Sequence, residues 1–198
     1  MIGSRRGYLA LAAACLLLLI EATTLIRTRW VEDESWIASN SWTFAQEGRI
    51  RTTIFPSQPG YEIAVGPPVY TVTEGYWFAA FGLGIAQARL LSALAGMITL
   101  IVVFFLGREI GGTLCGAVAG AIAASDTFLV VAARTARPEA ETMLLCWLAI
   151  LLYLLAVRRE SPILALASGG ACGLGLLCHP LACPSSAACA SSSSCNTA

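Results

Sequence analysis

Apolar runs near bilayer length recur along this chain, at residues 8–26, 90–106, 114–133, 142–157 and 163–183, and they constrain its fold more than any other feature. A helix needs about 20 mostly apolar residues to cross a hydrocarbon core. Composition points the same way. Of the 198 residues, 57% are hydrophobic and 12% charged, with mean hydropathy +0.74. A soluble domain carries about 25% charged residues, so too little charge is present to cover a water-facing surface. The expected fold class is all-α: a polytopic membrane protein with about five transmembrane helices, plus one or two interfacial helices in a first outer loop.

Net charge is formally zero and all 12 basic residues are Arg. No block of like charge and no aromatic-basic platform points to nucleic acid. The 8 cysteines form no disulfide framework: Cys15, Cys115, Cys146 and Cys172 lie in apolar runs, where Cys behaves as a small hydrophobe. Near the start, Ser4-Arg5-Arg6-Gly7-Tyr8-Leu9 resembles a twin-arginine export signal, and Ala13-Ala14-Cys15 a lipoprotein cleavage site. A cleaved signal precedes a soluble exported domain. Four further apolar runs follow here, so an uncleaved signal-anchor is the reading adopted, with Arg5 and Arg6 in the cytoplasm.

Four regions follow: a first span at 1–26, an outer loop at 27–88, the remaining transmembrane helices at 89–183 and a low-complexity tail at 184–198. In the loop, Asp33 is placed to N-cap a helix over Glu34–Glu47 that Gly48 stops. Trp36, Ile37, Phe44 and Ala45 share one side of it, suited to a membrane surface. Pro59, Gly60, Pro67 and Pro68 break the loop's middle. The stretch 69–85 is aromatic and glycine-rich and reads as a second interfacial helix. Arg108, Arg158 and Arg159 then join Arg5 and Arg6 inside, while Arg134 and Arg137 face outward with the loop's arginines, a weak fit to the positive-inside rule. The expected location is the plasma (inner) membrane, with the active site outside. After Cys183 the chain turns Ser-, Ala- and Cys-rich with no apolar period, as a truncated or frameshifted gene would read.

Two acidic-basic groups could carry chemistry. Asp33 and Glu34, just past the first span, could supply a general base for an acceptor hydroxyl; the competing reading is a solvated helix cap. Arg134-Thr135-Ala136-Arg137-Pro138-Glu139-Ala140-Glu141 joins two apolar runs. Its guanidinium groups suit phosphate and a carboxylate beside them suits orientation, an acceptor or a metal; the competing reading is a connector with Pro138 in the first helical turn. Glu21 and Asp126 fall within apolar runs and could line one outward cavity, since intramembrane ionisable groups face protein or water. Cys178-His179 with Cys183 does not match a tetrahedral zinc motif. His179 alone, at the outer end of the last run, is a candidate substrate contact. The ligands of any metal stay unassigned, with a divalent cation the one cofactor left open.

In order along the chain stand the Asp33-Glu34 pair, a helix ending at Gly48, Pro67-Pro68-Val69-Tyr70, Ala88-Arg89-Leu90-Leu91-Ser92-Ala93-Leu94-Ala95-Gly96, Phe105-Leu106-Gly107-Arg108 and Ala136-Arg137-Pro138-Glu139. This order resembles the N-terminal part of the GT-C membrane glycosyltransferases, in the branch of protein O-mannosyltransferases and lipid A aminoarabinose transferases. The resemblance covers about residues 8–182. It implies an inverting transfer of a sugar from a polyprenyl-phosphate donor in the membrane lipid to an acceptor at the outer face. It also implies Asp33 as the base, with Glu34 beside it, and Arg137, Glu139, Arg89 and His179 as substrate-binding residues. Members of the family often carry Glu-Lys-Pro-Pro where this chain reads Val65-Gly66-Pro67-Pro68, so Arg49, Arg51 or Arg89 would replace the phosphate-facing Lys.

Two other readings compete. A transporter or channel component would pair charges within spans and show inverted repeats; no internal repeat is visible and the charges gather at one face. An inert fragment would insert without catalysing.

Overall fold

In a computed structural model of the chain, the described residues are 2–24, 33–51 and 67–179, with side chains in the first helix described from 5 to 20. The side chain of Glu21, and the expectations for Arg27, Arg29, the Pro59-Gly60 turn, Val65-Gly66 and the tail with Cys183, lie outside that description. Among the described residues the chain is all-helical: α1 (Ile2–Thr24), α2 (Glu34–Glu47), α3 (Pro68–Phe81), α4 (Ile85–Ala124), α5 (Thr127–Arg134), α6 (Glu139–Arg159) and α7 (Pro162–Cys178). Within that set, α4 and α6 are long and apolar enough to cross a membrane, and α7 is a shorter apolar helix.

α4 is not one rod of 40 residues. Its backbone leaves helical geometry at Gly111 and Gly112, where Gly112 has φ +79°, a conformation glycine adopts without a Cβ penalty. A Cβ on Gly107 would lie 3.0 Å from the Gly116 Cα, and one on Gly120 would lie 3.9 Å from the Phe104 Cβ. Sixteen residues apart on a straight helix would be about 24 Å, so α4 is a hairpin with arms at 85–110 and 113–124.

The return arm departs from the continuous span expected over 114–133. It breaks at Ser125-Asp126 and resumes as α5, whose first turn the Asp126 carboxylate caps by accepting from the Leu129 N–H at 2.8 Å. A Ser-Asp pair inside an apolar run is itself an N-cap signal, and here it outweighs apolar continuity. The Asp126 carboxylate, expected to line a cavity with Glu21, serves as this cap and also borders a cavity shared with Thr99, Met143 and Trp147.

The helices share two ends. At one, Gly7 of α1 meets Thr113, and Arg108 lies over the Tyr8 ring at 6.0 Å. There Arg158 Nη1 also donates to the Glu109 carbonyl and stands 3.3 Å from Glu109 Oε2. At the other end gather α2, α3, the start of α4, the 135–138 turn and the end of α7. Between them, Leu18 and Ala14 of α1 pack with Leu100 of α4 and with Leu129 and Ala133, and Ser168 Oγ of α7 donates to the Ala149 carbonyl of α6 at 2.8 Å.

α3 stays at the second end along its whole length. Tyr70 near its start packs with Ile37 and Cys178, Phe78 near its end packs with Ala38, Ala88 and Ala136, and Trp77 Nε1 donates to the Gln87 carbonyl at 2.8 Å. α2 begins and ends where expected, with Gly48 in the left-handed region at φ 68°. Its packing differs from the expected membrane-facing stripe. Ile37 turns into the Tyr70 cluster, and Phe44 lies edge-on to Tyr76 at 5.6 Å. Gly75 makes this possible, since a Cβ there would stand 2.6 Å from Phe44 Cδ1 and 2.9 Å from the Ser41 carbonyl oxygen.

Candidate active site

The start of α2, the 135–138 turn and the first turn of α6 meet around one ion-pair system. Glu34 is fully buried and Arg89 nearly so. Arg89 Nε donates to Glu34 Oε1 at 3.0 Å and Nη2 donates to Oε2 at 2.7 Å. The Ala136 N–H also donates to Glu34 Oε1, at 2.7 Å. One carboxylate therefore ties α2 to α4 and fixes the turn that carries Arg137.

Its neighbour Asp33 faces the other way. Successive helical residues point about 100° apart, and Asp33 leaves its side chain 53% exposed while Glu34 enters the core. Asp33 occupies the N-cap position of α2 but makes no side-chain cap hydrogen bond, so its carboxylate is open to solvent and to Arg137. Arg137 Nη2 stands 4.0 Å from Asp33 Oδ2 and 2.8 Å from Glu139 Oε1. A partly exposed guanidinium between two carboxylates is held in place while its outer edge stays reachable.

The structure thus brings Asp33, Arg137 and Glu139 together at one surface and seals Glu34 and Arg89 directly beneath. His179 ends α7 at the same end: its N–H donates to the Gly175 carbonyl at 3.0 Å, and the preceding Cys178 Sγ lies 3.7 Å from the Pro138 carbonyl oxygen. Arg51 is elsewhere, paired with Glu47 at 2.7 Å, about 21 Å along α2 from Asp33; exposed Arg49 sits at that same far end. Among the described residues no three His, Cys, Asp or Glu side chains converge on a metal site. Asp33 and Glu139 both face a guanidinium that would repel a cation, so no step is derived through a metal.

A second acidic layer, with Glu74 of α3 and Glu141 of α6, lies beneath α2 and α3. Glu74 is fully buried; Tyr70 Oη donates to its Oε1 at 3.2 Å, and its Oε2 has no hydrogen-bond partner. Burial pushes the Glu74 carboxyl up to about 7, against the pull of the Ser41 and Tyr70 hydroxyls and helped by the nearby charges of Glu141 and Glu34. Burial likewise holds the Tyr70 phenol well above its usual range. Thr73 Oγ1 donates to Glu141 Oε1 at 3.0 Å, linking α3 to α6. The available signal was an acid inside an apolar, aromatic helix, which seldom occurs without a role.

The same stretch of chain answers a comparison with known families: a model described as dolichyl-phosphate-mannose-protein mannosyltransferase matches residues 65–189. The chain belongs to this family. Its members are membrane glycosyltransferases of the GT-C type. No curated protein and no solved structure matches the chain. Arg89, Arg137, Glu139 and His179 lie inside the matched range of the mannosyltransferase family, and Asp33 and Glu34 precede it.

Proposed function

We propose that this mannosyltransferase-family chain transfers a sugar from a polyprenyl-phosphate donor to an acceptor hydroxyl at the outer face of the membrane. Five passes cross in this reading: α1, the long arm of α4, its short arm continued by α5, α6 and α7. The observation that carries it is the Arg137 guanidinium, held 2.8 Å from Glu139 and 4.0 Å from Asp33 where the helices end.

Asp33 takes the proton of the acceptor hydroxyl. The oxygen attacks the anomeric carbon from the face opposite the phosphate, a C–O bond forms, the bond to the donor phosphate breaks, and the anomeric configuration inverts. Arg137 takes the charge that develops on the departing polyprenyl phosphate, for which its planar fork of donors is suited. Glu139 orients Arg137, and His179 at the end of α7 contacts substrate. Glu34 and Arg89 act as positioning residues: they hold the Asp33 and Arg137 backbones in register from below. Competition from Asp33 and Glu139 keeps Arg137 from binding phosphate too tightly to release it.

Asp33→Asn tests the reading. Its expected effect is loss of transfer from a polyprenyl-phosphate sugar by about a hundredfold or more, within the range for a general base, with unchanged membrane insertion and thermal midpoint. Full activity in that variant removes Asp33 from the mechanism.

A further inference from the structure

The cavity that Asp126 borders is a groove of about 480 Å3 between the two arms of α4, α5 and α6. Its walls are apolar, with Leu106, Ile110, Ile122 and Met143 among them and Trp147 along the α6 side. Ile110 and Ile122, each 66% exposed, leave it open on the flank of the bundle. From Thr99 to Ile110 it follows the long arm of α4 for 11 residues, about 16 Å. At ~30 Å3 for each water-sized group, it holds roughly 16 of them. That is the length and bulk of one lipid acyl chain.

The two ends of the groove differ in charge. At the Thr99 end stands the Asp126 carboxyl, which accepts from the Leu129 N–H. At the Ile110 end stand arginines. Arg158 lies 11 residues beyond Trp147, three turns along the same side of α6. Its Nη1 donates to the Glu109 carbonyl and stands 3.3 Å from Glu109 Oε2. Arg159 follows it, exposed, while Arg5, Arg6 and Arg108 gather on the α1 side of the same end. Among the described residues these five arginines face two carboxylates there, Glu109 and Glu160, so three positive charges are in excess.

A guanidinium offers phosphate a planar fork of donors, and basic residues at a membrane face draw anionic lipids. A zwitterionic headgroup would bring an ammonium toward the same arginines. A chain entering from the other end would set its phosphate against the Asp126 carboxyl. We propose that the groove binds an anionic phospholipid, with one acyl chain lying from Ile110 toward Thr99 and the headgroup phosphate at Arg158 and Arg159. The proposal rests on α4 and α6 crossing the membrane and not on sugar transfer.

Of the 4 described tryptophans only Trp147 lines the groove, so its fluorescence reports occupancy. The test places the full chain in phosphatidylcholine nanodiscs and adds phosphatidylglycerol or phosphatidylcholine with brominated acyl chains, which quench tryptophan on contact. The difference between wild type and Trp147→Phe isolates the Trp147 signal. Brominated phosphatidylglycerol should quench it saturably at mole fractions where brominated phosphatidylcholine quenches only in proportion to its amount. Equal quenching by both lipids would make the groove a hollow that any lipid fills, and displacement by an equimolar amount of glycerol phosphate would make the ligand a soluble phosphate; either overturns the proposal. No quenching by either lipid would take Trp147 out of the membrane, which denies the crossing of α6 as well. Arg158→Gln combined with Arg159→Gln is expected to weaken phosphatidylglycerol about tenfold or more, and unchanged affinity overturns the proposal. Should the double variant fail to fold, Arg159→Gln alone removes an exposed arginine and is expected to weaken binding about fivefold. Unchanged affinity in that folded variant overturns the proposal equally.

Discussion

Arg89 grips Glu34 with two donors, at 3.0 and 2.7 Å, inside the protein and directly under the exposed Asp33. Removing one partner of a buried pair leaves an uncompensated charge, at a cost of about 3–5 kcal/mol. Arg89→Met is therefore expected to lower stability by about that amount and, by loosening the 135–138 turn, to lower activity. Pairing it with Glu34→Leu removes the stranded charge, but the Ala136 N–H then loses its acceptor, worth about 1–3 kcal/mol. Recovery in the double variant should be partial. Thermal unfolding of the two singles and the double checks it, and full recovery would deny the Ala136 contact any weight.

The same two residues show how far sequence reasoning reaches. The position of α2, its stop at Gly48 and the acidic pair at its start are legible because caps and helix breakers act locally. Which carboxylate goes in and which stays out is not, because that depends on Arg89, 55 residues away in sequence. Glu34 and Asp33 look interchangeable on paper, but packing gives one the core and the other the surface. The break at Ser125-Asp126 carried a local cap signal that the long apolar run concealed. The contact between Gly75 and α2 carried none, since closeness between two helices is a property of the pair.

The Glu74 carboxyl sets a pH dependence of stability. Folding raises it from 4.5 to about 7, so between those values the folded chain binds more protons than the unfolded one. Stability from this group is full below about pH 4.5, falls as pH rises through that window and is flat above it. The total is about 3 kcal/mol at 1.36 kcal/mol per pKa unit. Unfolding midpoints for wild type and Glu74→Gln across pH 4.5–8 check it: the difference between them should widen with pH, and parallel curves would show that Glu74 titrates normally.

Gly75→Ala probes the α2–α3 contact. The new methyl would lie 2.6 Å from Phe44 Cδ1 and 2.9 Å from the Ser41 carbonyl oxygen. The ring can swing aside but the backbone oxygen cannot, so α2 must shift. Overpacking of this kind costs about 1–3 kcal/mol. Phe44→Ala in the same chain should restore little of that loss. Full restoration, measured by the thermal midpoint, would mean the ring alone sets the spacing.

Arg137→Lys separates charge from geometry. Lys keeps the positive charge but loses the planar fork that spans Glu139 and a phosphate. Charge-assisted hydrogen bonds contribute about 1.5–3 kcal/mol each, so one lost in the transition state lowers kcat/KM by roughly 10- to 100-fold. Stability should hold, since Arg137 is partly exposed. Wild-type kinetics in the folded variant would show that Arg137 does not touch the donor phosphate.

Orientation in the membrane can be read from two cysteines introduced in place of Thr135 and Arg159, in a chain whose native cysteines are replaced by alanine. α6 separates these positions with 21 residues, about 32 Å at 1.5 Å per residue, enough to cross a hydrocarbon core of about 30 Å. Arg158 and Arg159 close α6 at the end shared with Arg108 and the start of α1, and arginines near helix ends favour the cytoplasm. An impermeant maleimide added outside intact cells should label position 135 and spare 159 until the membrane is opened. The reverse pattern would put Asp33 and Arg137 in the cytoplasm and exclude transfer at the outer face; labelling of both from outside would mean that α6 does not cross.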